Sequence, residues 1–186
     1  MMEKTKNILE KSSKILLGLT IVVALPMIGA SAYGVSVNPS SSTAHYLYKS
    51  ISKQPQKGLY VSFCVPEEHI NVLYKDGIGK TGSGGSCGRV LPFIKPVIAV
   101  SGDVVSVSDD GITTKDGFYP APRKKVSTKG TDLNPIKPGT YKVSPGKVWV
   151  LSTFNPSSYD SRYYGEVMPL QSFRPFINQL KRSNYE

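Results

Sequence analysis

The chain has 186 residues, with 23 Lys and Arg against 13 Asp and Glu, for a formal charge of +10. One apolar segment lies near the start, and the polar remainder of about 150 residues is an ordinary single-domain length with room for a real core. The basic residues are scattered, Arg123-Lys124-Lys125 being the one tight cluster, and no nucleic-acid motif accompanies them. The excess charge is therefore read as a solvated surface, or as attraction to an anionic membrane or acidic partner, with no nucleic acid.

Lys4, Lys6, Lys11 and Lys14 precede a stretch from Ile15 to Val37 without a charged residue, and Lys49 carries the next charge. A bilayer core needs about 20 apolar residues. Lysines on one side only predict residues 1–14 in the cytoplasm, 15–37 as a single transmembrane anchor and 38–186 outside. Pro26 and Gly29 leave the end of the helix open. A cleaved signal peptide ending near Ala30-Ser31-Ala32 is the alternative; either reading exports the domain.

Outside this segment, Gly58 to Val65 alternates and is rich in β-branched and aromatic residues, which predicts a strand. Glu67 to Tyr74 reads as a short helix, and the Gly-, Ser- and Thr-rich residues 77–88 as a loop. Val90 to Val100 reads as a largely buried strand in which Pro92 and Pro96 mark bends or an edge. Residues 104–107, 111–114, 140–143 and 147–151 are further short strands separated by Asp-Gly and Pro-Gly turns, with a Pro- and Lys-rich irregular insertion at about 115–139. Leu170 to Leu180 has helical apolar spacing interrupted by Pro175. Many short strands and few helices predict a mostly β domain.

Cys64 and Cys87 both fall in the exported part, where a disulfide is expected. Two free thiols, or a zinc site combining them with His45 and His69, are the alternatives, but no CxxC or HxxxH spacing supports the zinc site, and no metal or cofactor is expected.

Three segments carry candidate chemistry: Asn38-Pro39-Ser40-Ser41-Ser42-Thr43-Ala44-His45-Tyr46-Leu47-Tyr48, Ile94-Lys95-Pro96-Val97-Ile98-Ala99-Val100-Ser101-Gly102-Asp103, and Ser157-Ser158-Tyr159-Asp160-Ser161-Arg162-Tyr163-Tyr164-Gly165. A serine hydroxyl needs a base within hydrogen-bond reach, and His45 stands too close in sequence to Ser42 to serve. Lys95 interrupts an apolar run, and burial there would pull its pKa down until the neutral amine can take a proton. Arginine could not do this, because it stays protonated. Taken alone, Lys95 also reads as a snorkelling side chain on an edge strand, and Ser42 as part of a serine-rich linker. Ser50-Ile51-Ser52-Lys53 with Lys80-Thr81-Gly82 imitates a penicillin-binding set without its middle element, and Gly79-Lys80-Thr81 imitates a P-loop without its first glycine; both are attributed to chance.

Together the three segments resemble the signal peptidase family, and most closely its conjugative-transfer, TraF-type branch. The serine box of that branch, Asn-x-Thr-x-Ser-x-Pro-x-Gly-Leu-Tyr, is matched by Asn38, Ser40, Ser42, Leu47 and Tyr48. Its lysine box, Leu-Lys-Arg-Val-x-Ala-x-x-Gly-Asp, is matched by Lys95, Val97, Ala99, Gly102 and Asp103. Its last box, Ser-x-Asp-Ser-Arg-Tyr-x-Gly, is matched by Ser158, Asp160, Ser161, Arg162, Tyr163 and Gly165. Ala44, Tyr46 and Pro96 depart from the usual Pro, Gly and Arg. The resemblance implies a β-rich catalytic domain behind an inner-membrane anchor, facing the periplasm, with Ser42 as nucleophile and Lys95 as general base of a serine endopeptidase. It further implies that Ser40 helps hold the oxyanion and that Asp160 and Arg162 brace the site as an ion pair, with Asp160 orienting Lys95 as the alternative. The implied substrate is a pilin precursor matured for conjugation, by hydrolysis or by ring closure, alongside other conjugative transfer proteins. A general signal peptidase and an inactive anchored scaffold of a pilus or secretion apparatus are the other readings.

Overall fold

A computed structural model describes residues 2–38, 40–78 and 81–176 and divides the chain into two compact units, Met1–Ser36 and Val37–Glu186. The first is helix α1, Met2–Ala32, whose segment Glu10–Ala30 is long and apolar enough to cross a membrane. A short strand β1, Val35–Val37, follows.

The second unit is mostly β. Its strands are β2 Leu47–Ile51, β3 Tyr60–Phe63, β4 Thr81–Gly85, β5 Gly88–Val90, β6 Phe93–Val100, β7 Val104–Val107, β8 Gly111–Thr114, β9 Gly117–Pro120, β10 Gly139–Lys142, β11 Val148–Val150 and β12 Pro169–Pro175. A 3-10 turn, Glu67–His69, leads into helix α2, Ile70–Asp76, and a one-turn helix α3 spans Ser161–Tyr164. In the larger sheet β2, β12, β3, β6 and β11 lie side by side in that order; β10, β7, β8 and β9 form a second sheet, and β4 and β5 a hairpin. All the recorded strand pairings of this unit are antiparallel.

Two apolar clusters hold the sheets. One gathers Val61, Phe63, Leu73, Val97 and Val150 with the tyrosines Tyr159, Tyr163 and Tyr164. The other packs Ile98, Ala99, Trp149 and Leu151 against Val105 and Ile112 of the second sheet and Val143 just after β10. Strand β6 feeds both clusters: Phe93 and Val97 pack into the first and Ile98 and Ala99 into the second, across the register shift opposite Trp149 and Val150. At its end Gly102, at φ 86°, makes a turn a side chain would strain, and Asp103 Oδ2 accepts from Val100 N at 3.1 Å. Gly102 N and Val143 N bond across to Val143 O and Asp103 O, so the Gly-Asp pair ties the turn after β6 to the second sheet.

Four expectations are corrected. Residues 170–175, read as the start of a helix, form β12, with Ser172 opposite both Ile51 and Val61; inter-strand pairing outweighs a spacing that Pro175 already interrupts, and residues 177–180 of that reading lie outside the described residues. The stretch read as a loop at 77–88 contains the β4–β5 hairpin, whose Cys87 forms the disulfide with Cys64 (S–S 2.05 Å); the Gly79 and Lys80 of the imitation motifs are not among the described residues. Pro96 marks no edge, for β6 lies between β3 and β11. It needs no donor, since its carbonyl accepts from Leu151 N at 3.1 Å and the ladder resumes at Val97 N. The irregular insertion also contains β9, which extends the second sheet.

Candidate active site

Residues 38 and 40–46 are bonded into a folded loop, not a linker. Asn38 is buried; its Oδ1 accepts from Ser40 N at 3.0 Å in an Asx turn, and its Nδ2 donates to Thr43 Oγ1 at 2.8 Å. The backbone closes through Asn38 N to Tyr46 O at 2.7 Å. Inside this loop Ser42 is only 7% exposed. The Ser40 and Ser42 Oγ atoms share a hydrogen bond of 2.6 Å, and Ser42 N donates to Ser40 Oγ at 3.2 Å. Asn38 and Ser40 thereby set the direction of Ser42.

Lys95 sits opposite Val61 in the middle of the larger sheet and is 2% exposed, which excludes a snorkelling edge residue. Its Nζ donates to Ser158 Oγ at 2.6 Å, and the Phe93 ring centroid lies 5.8 Å away. Burial brings its pKa from an ordinary 10.5 down to about 8, while Asp160 pulls upward and Arg162 downward. At neutral pH this lysine is far closer to releasing its proton than a surface lysine is.

Asp160 and Arg162, both fully buried, form a two-pronged ion pair: Arg162 Nε donates to Oδ1 at 2.8 Å and Nη2 to Oδ2 at 3.0 Å. Asp160 also caps α3 through Arg162 N at 3.3 Å and accepts from Ser152 N, through Oδ2, at 3.2 Å. The guanidinium spends its remaining donors on backbone carbonyls, those of Ser158 at 2.7 Å and Pro122 at 3.1 Å among them. The pair is thus satisfied on every side, the condition under which a buried ion pair is tolerated.

Ser42 Oγ and Lys95 Nζ are not hydrogen-bonded to one another among the described residues; each hydroxyl–amine partner is a neighbouring serine. Asp160 makes no hydrogen bond to Lys95, because its oxygens serve Arg162 and Ser152, so the hydrogen-bonded orientation of Lys95 comes from Ser158 instead. Ser158 stood in the last box as a matched position without an assigned task. Ser152 carried no signal at all: it follows β11 outside any motif, yet its Oγ donates to the backbone carbonyl of Ser42. His45 packs edge-on to Tyr48 and Tyr60, and His69 Nδ1 shares a 2.7 Å hydrogen bond with Tyr159 OH. With the cysteines in a disulfide, no group of three or more potential metal ligands occurs among the described residues. A groove of about 740 Å³ between Ile51, Lys53, Val100, Lys147 and Leu170 includes none of the candidate residues.

A buried amine and a buried, hydrogen-bonded serine on a β scaffold are the equipment of hydrolases that work through an activated hydroxyl. At the level of family the sequence comparison is direct: residues 8–173 match the model of the signal peptidases (peptidase S26), and the chain belongs to that family. It is 30% identical over 140 residues to a plasmid transfer protein TraF of Escherichia coli, covering 75% of this chain and 78% of that one. It is 31% identical over 155 residues to a conjugal transfer protein TraF of Agrobacterium fabrum, covering 81% and 83%. A signal peptidase I structure from Enterococcus faecalis aligns with 72% of this chain and 98% of its own at 18% identity, with a TM-score of 0.34, too low to carry an argument.

Proposed function

We propose that the protein is a membrane-anchored serine endopeptidase that cuts a pilin precursor for conjugative transfer, with Ser42 as nucleophile and Lys95 as general base. The observation that carries this reading is Lys95: a lysine buried in the middle of a sheet, its pKa brought to about 8, its one hydrogen bond among the described residues made to a neutral hydroxyl. A lysine kept only for structure would be expected to have a carboxylate partner or a path to water.

In the proposed reaction the neutral Lys95 amine takes the Ser42 proton as the Ser42 hydroxyl turns from Ser40 toward it. Catalytic hydrogen bonds commonly tighten only when substrate is bound. Ser42 Oγ forms a bond to the scissile carbonyl carbon, the oxyanion being met by the Ser42 N–H and the Ser40 hydroxyl. The carbon–nitrogen bond then breaks, and the Lys95 ammonium returns its proton to the departing amine. Water, or an amine of the product itself, resolves the acyl-enzyme, so the same site can trim a chain or close it into a ring.

The apolar helix and the lysines before it support an inner-membrane location, with residues 1–14 in the cytoplasm, an anchor at 15–37 and the catalytic domain, 38–186, in the periplasm. The named relatives act in plasmid and conjugal transfer, which supports a pilin substrate. The test is the intact mass of a pilin precursor encoded beside this protein, co-expressed with wild type, Ser42→Ala or Lys95→Ala. The expected result is a shortened product with wild type and an intact precursor with both variants; a further loss of one water marks ring closure. The same mass in all three would remove the peptidase reading for that precursor.

A further inference from the structure

Two hydrogen-bonded groups flank the proposed chemistry, the nucleophile loop around Ser42 and the lysine–serine contact around Lys95. Ser42 and Ser152, which bonds its carbonyl, stand 110 residues apart in the chain. Starting from Lys95, Nζ meets Ser158 Oγ at 2.6 Å, and the Ser158 carbonyl accepts from Arg162 Nη2 at 2.7 Å. Arg162 clasps Asp160, and Asp160 Oδ2 accepts from Ser152 N at 3.2 Å. Ser152 Oγ then donates to the carbonyl of Ser42. All six residues are buried. The path is continuous from the base to the nucleophile, and Ser152 is its last step before Ser42.

We propose that Ser152 is a positioning residue that fixes the rotation of the Ser42 peptide group and so aims the Ser42 hydroxyl toward Lys95. The proposal rests on the reading of Ser42 as nucleophile. Two hydrogen bonds already restrain the amide side of Ser42 and its hydroxyl, both to Ser40, which belongs to the same loop. They fix the loop internally but not against the lysine. The carbonyl side is the one held from the lysine's own neighbourhood: Leu151, preceding Ser152, bonds Pro96, which follows Lys95. The other recorded side-chain bond from this region to the loop, Asn155 Nδ2 to Ser41 Oγ, is long at 3.5 Å and sits at a hydroxyl rather than on the Ser42 backbone.

Removing the Ser152 hydroxyl leaves the ion pair, Ser158 and Lys95 in place, so the base keeps its pKa while the nucleophile loses its aim. Misplacement by about 1 Å can cost roughly a hundredfold in rate. A matched control is Ser161, equally buried, whose Oγ accepts from Val150 N at 2.9 Å and touches neither Ser42 nor Lys95.

The experiment measures the rate of acylation by a serine-reactive acylating reagent at several pH values, with thermal melts, for the full chain in detergent. It compares wild type, Ser152→Ala, Ser152→Thr, Ser161→Ala and Ser42→Ala. The expected result is a roughly ten- to hundredfold slower maximal rate for Ser152→Ala with an unshifted pH midpoint. Ser152→Thr, which keeps the hydroxyl, should recover much of that rate, and Ser161→Ala should react at the wild-type rate even where its melting temperature falls. A Ser152→Ala rate within about twofold of wild type, or a loss equalled by Ser161→Ala at the same loss of melting temperature, overturns the positioning role. Equal labelling of Ser42→Ala and wild type instead overturns the reading of Ser42, a separate outcome.

Discussion

Burial makes Lys95 expensive to keep charged, and that cost has a sign that can be measured. In the unfolded chain it holds its proton up to an ordinary 10.5, whereas in the folded domain it releases it at about 8. Between those values the unfolded state binds more protons, so stability rises with pH across the window and the penalty is fully present below about 8. We predict that Lys95→Met removes this rise: the melting temperature of wild type relative to Lys95→Met climbs from about pH 8 to about pH 10. Tyr159, Tyr163 and Tyr164, whose pKa values burial raises, act oppositely at high pH but are common to both proteins and cancel in the difference. A flat difference would mean that the amine is already satisfied in its charged form. At this scale Lys95 was legible because a charge inside an apolar run is conspicuous, and Asp160 and Arg162 because their box is specific. Ser152 was not, because a hydrogen bond to a backbone carbonyl leaves no trace in residue type and its two partners lie far apart in the chain.

Among the elements, the disulfide and the strands around it show what pattern reading can reach. Strands β7 and β8 appear where alternation and Asp-Gly turns put them. The hairpin of β4 and β5 is built largely from glycine, whose low strand propensity hides it. Its anchor is the Cys64–Cys87 bond, joining residues 23 apart. A loop of this length contributes on the order of 3 kcal/mol by restricting the unfolded chain. Replacing both cysteines by serine is expected to lower the melting temperature by roughly 10 °C for a domain of this size; an unchanged value would show that the hairpin is held by its backbone alone. Strand β12 hid for a different reason. Its apolar residues happen to fall at helical intervals, and only the pairing partners β2 and β3, distant in sequence, decide otherwise. Strand β2, Leu47–Ile51, begins on the last two residues of the serine box, and its Lys49 and Ser50 interrupt the apolar pattern that would mark a strand.

For the whole molecule, the mostly β architecture followed from the count of short strands, and the family followed from three boxes kept in order across the chain. What the boxes left open was how they meet. Residues 38–48, 94–103 and 157–165 share no sequence neighbourhood, and they are joined by the Lys95–Ser158 bond and by Ser152, which bonds both Asp160 and the carbonyl of Ser42. The three departures from the family pattern are accommodated: Pro96 by a strand that resumes at Val97, and Ala44 and Tyr46 by a loop closed from Asn38. The proposed peptidase thus has an internally bonded, buried site, with the pKa of Lys95 lowered by burial.

The most direct test of that claim is the pH dependence of acylation at residue 42. A serine-reactive acylating reagent would be followed by intact mass from about pH 6 to about pH 10 on wild type, Ser42→Ala and Lys95→Arg. The account predicts a wild-type rate that rises with pH to a plateau with its midpoint near 8, and no adduct in either variant. A wild-type profile without that limb, or a Lys95→Arg protein that reacts as fast as wild type, would contradict it.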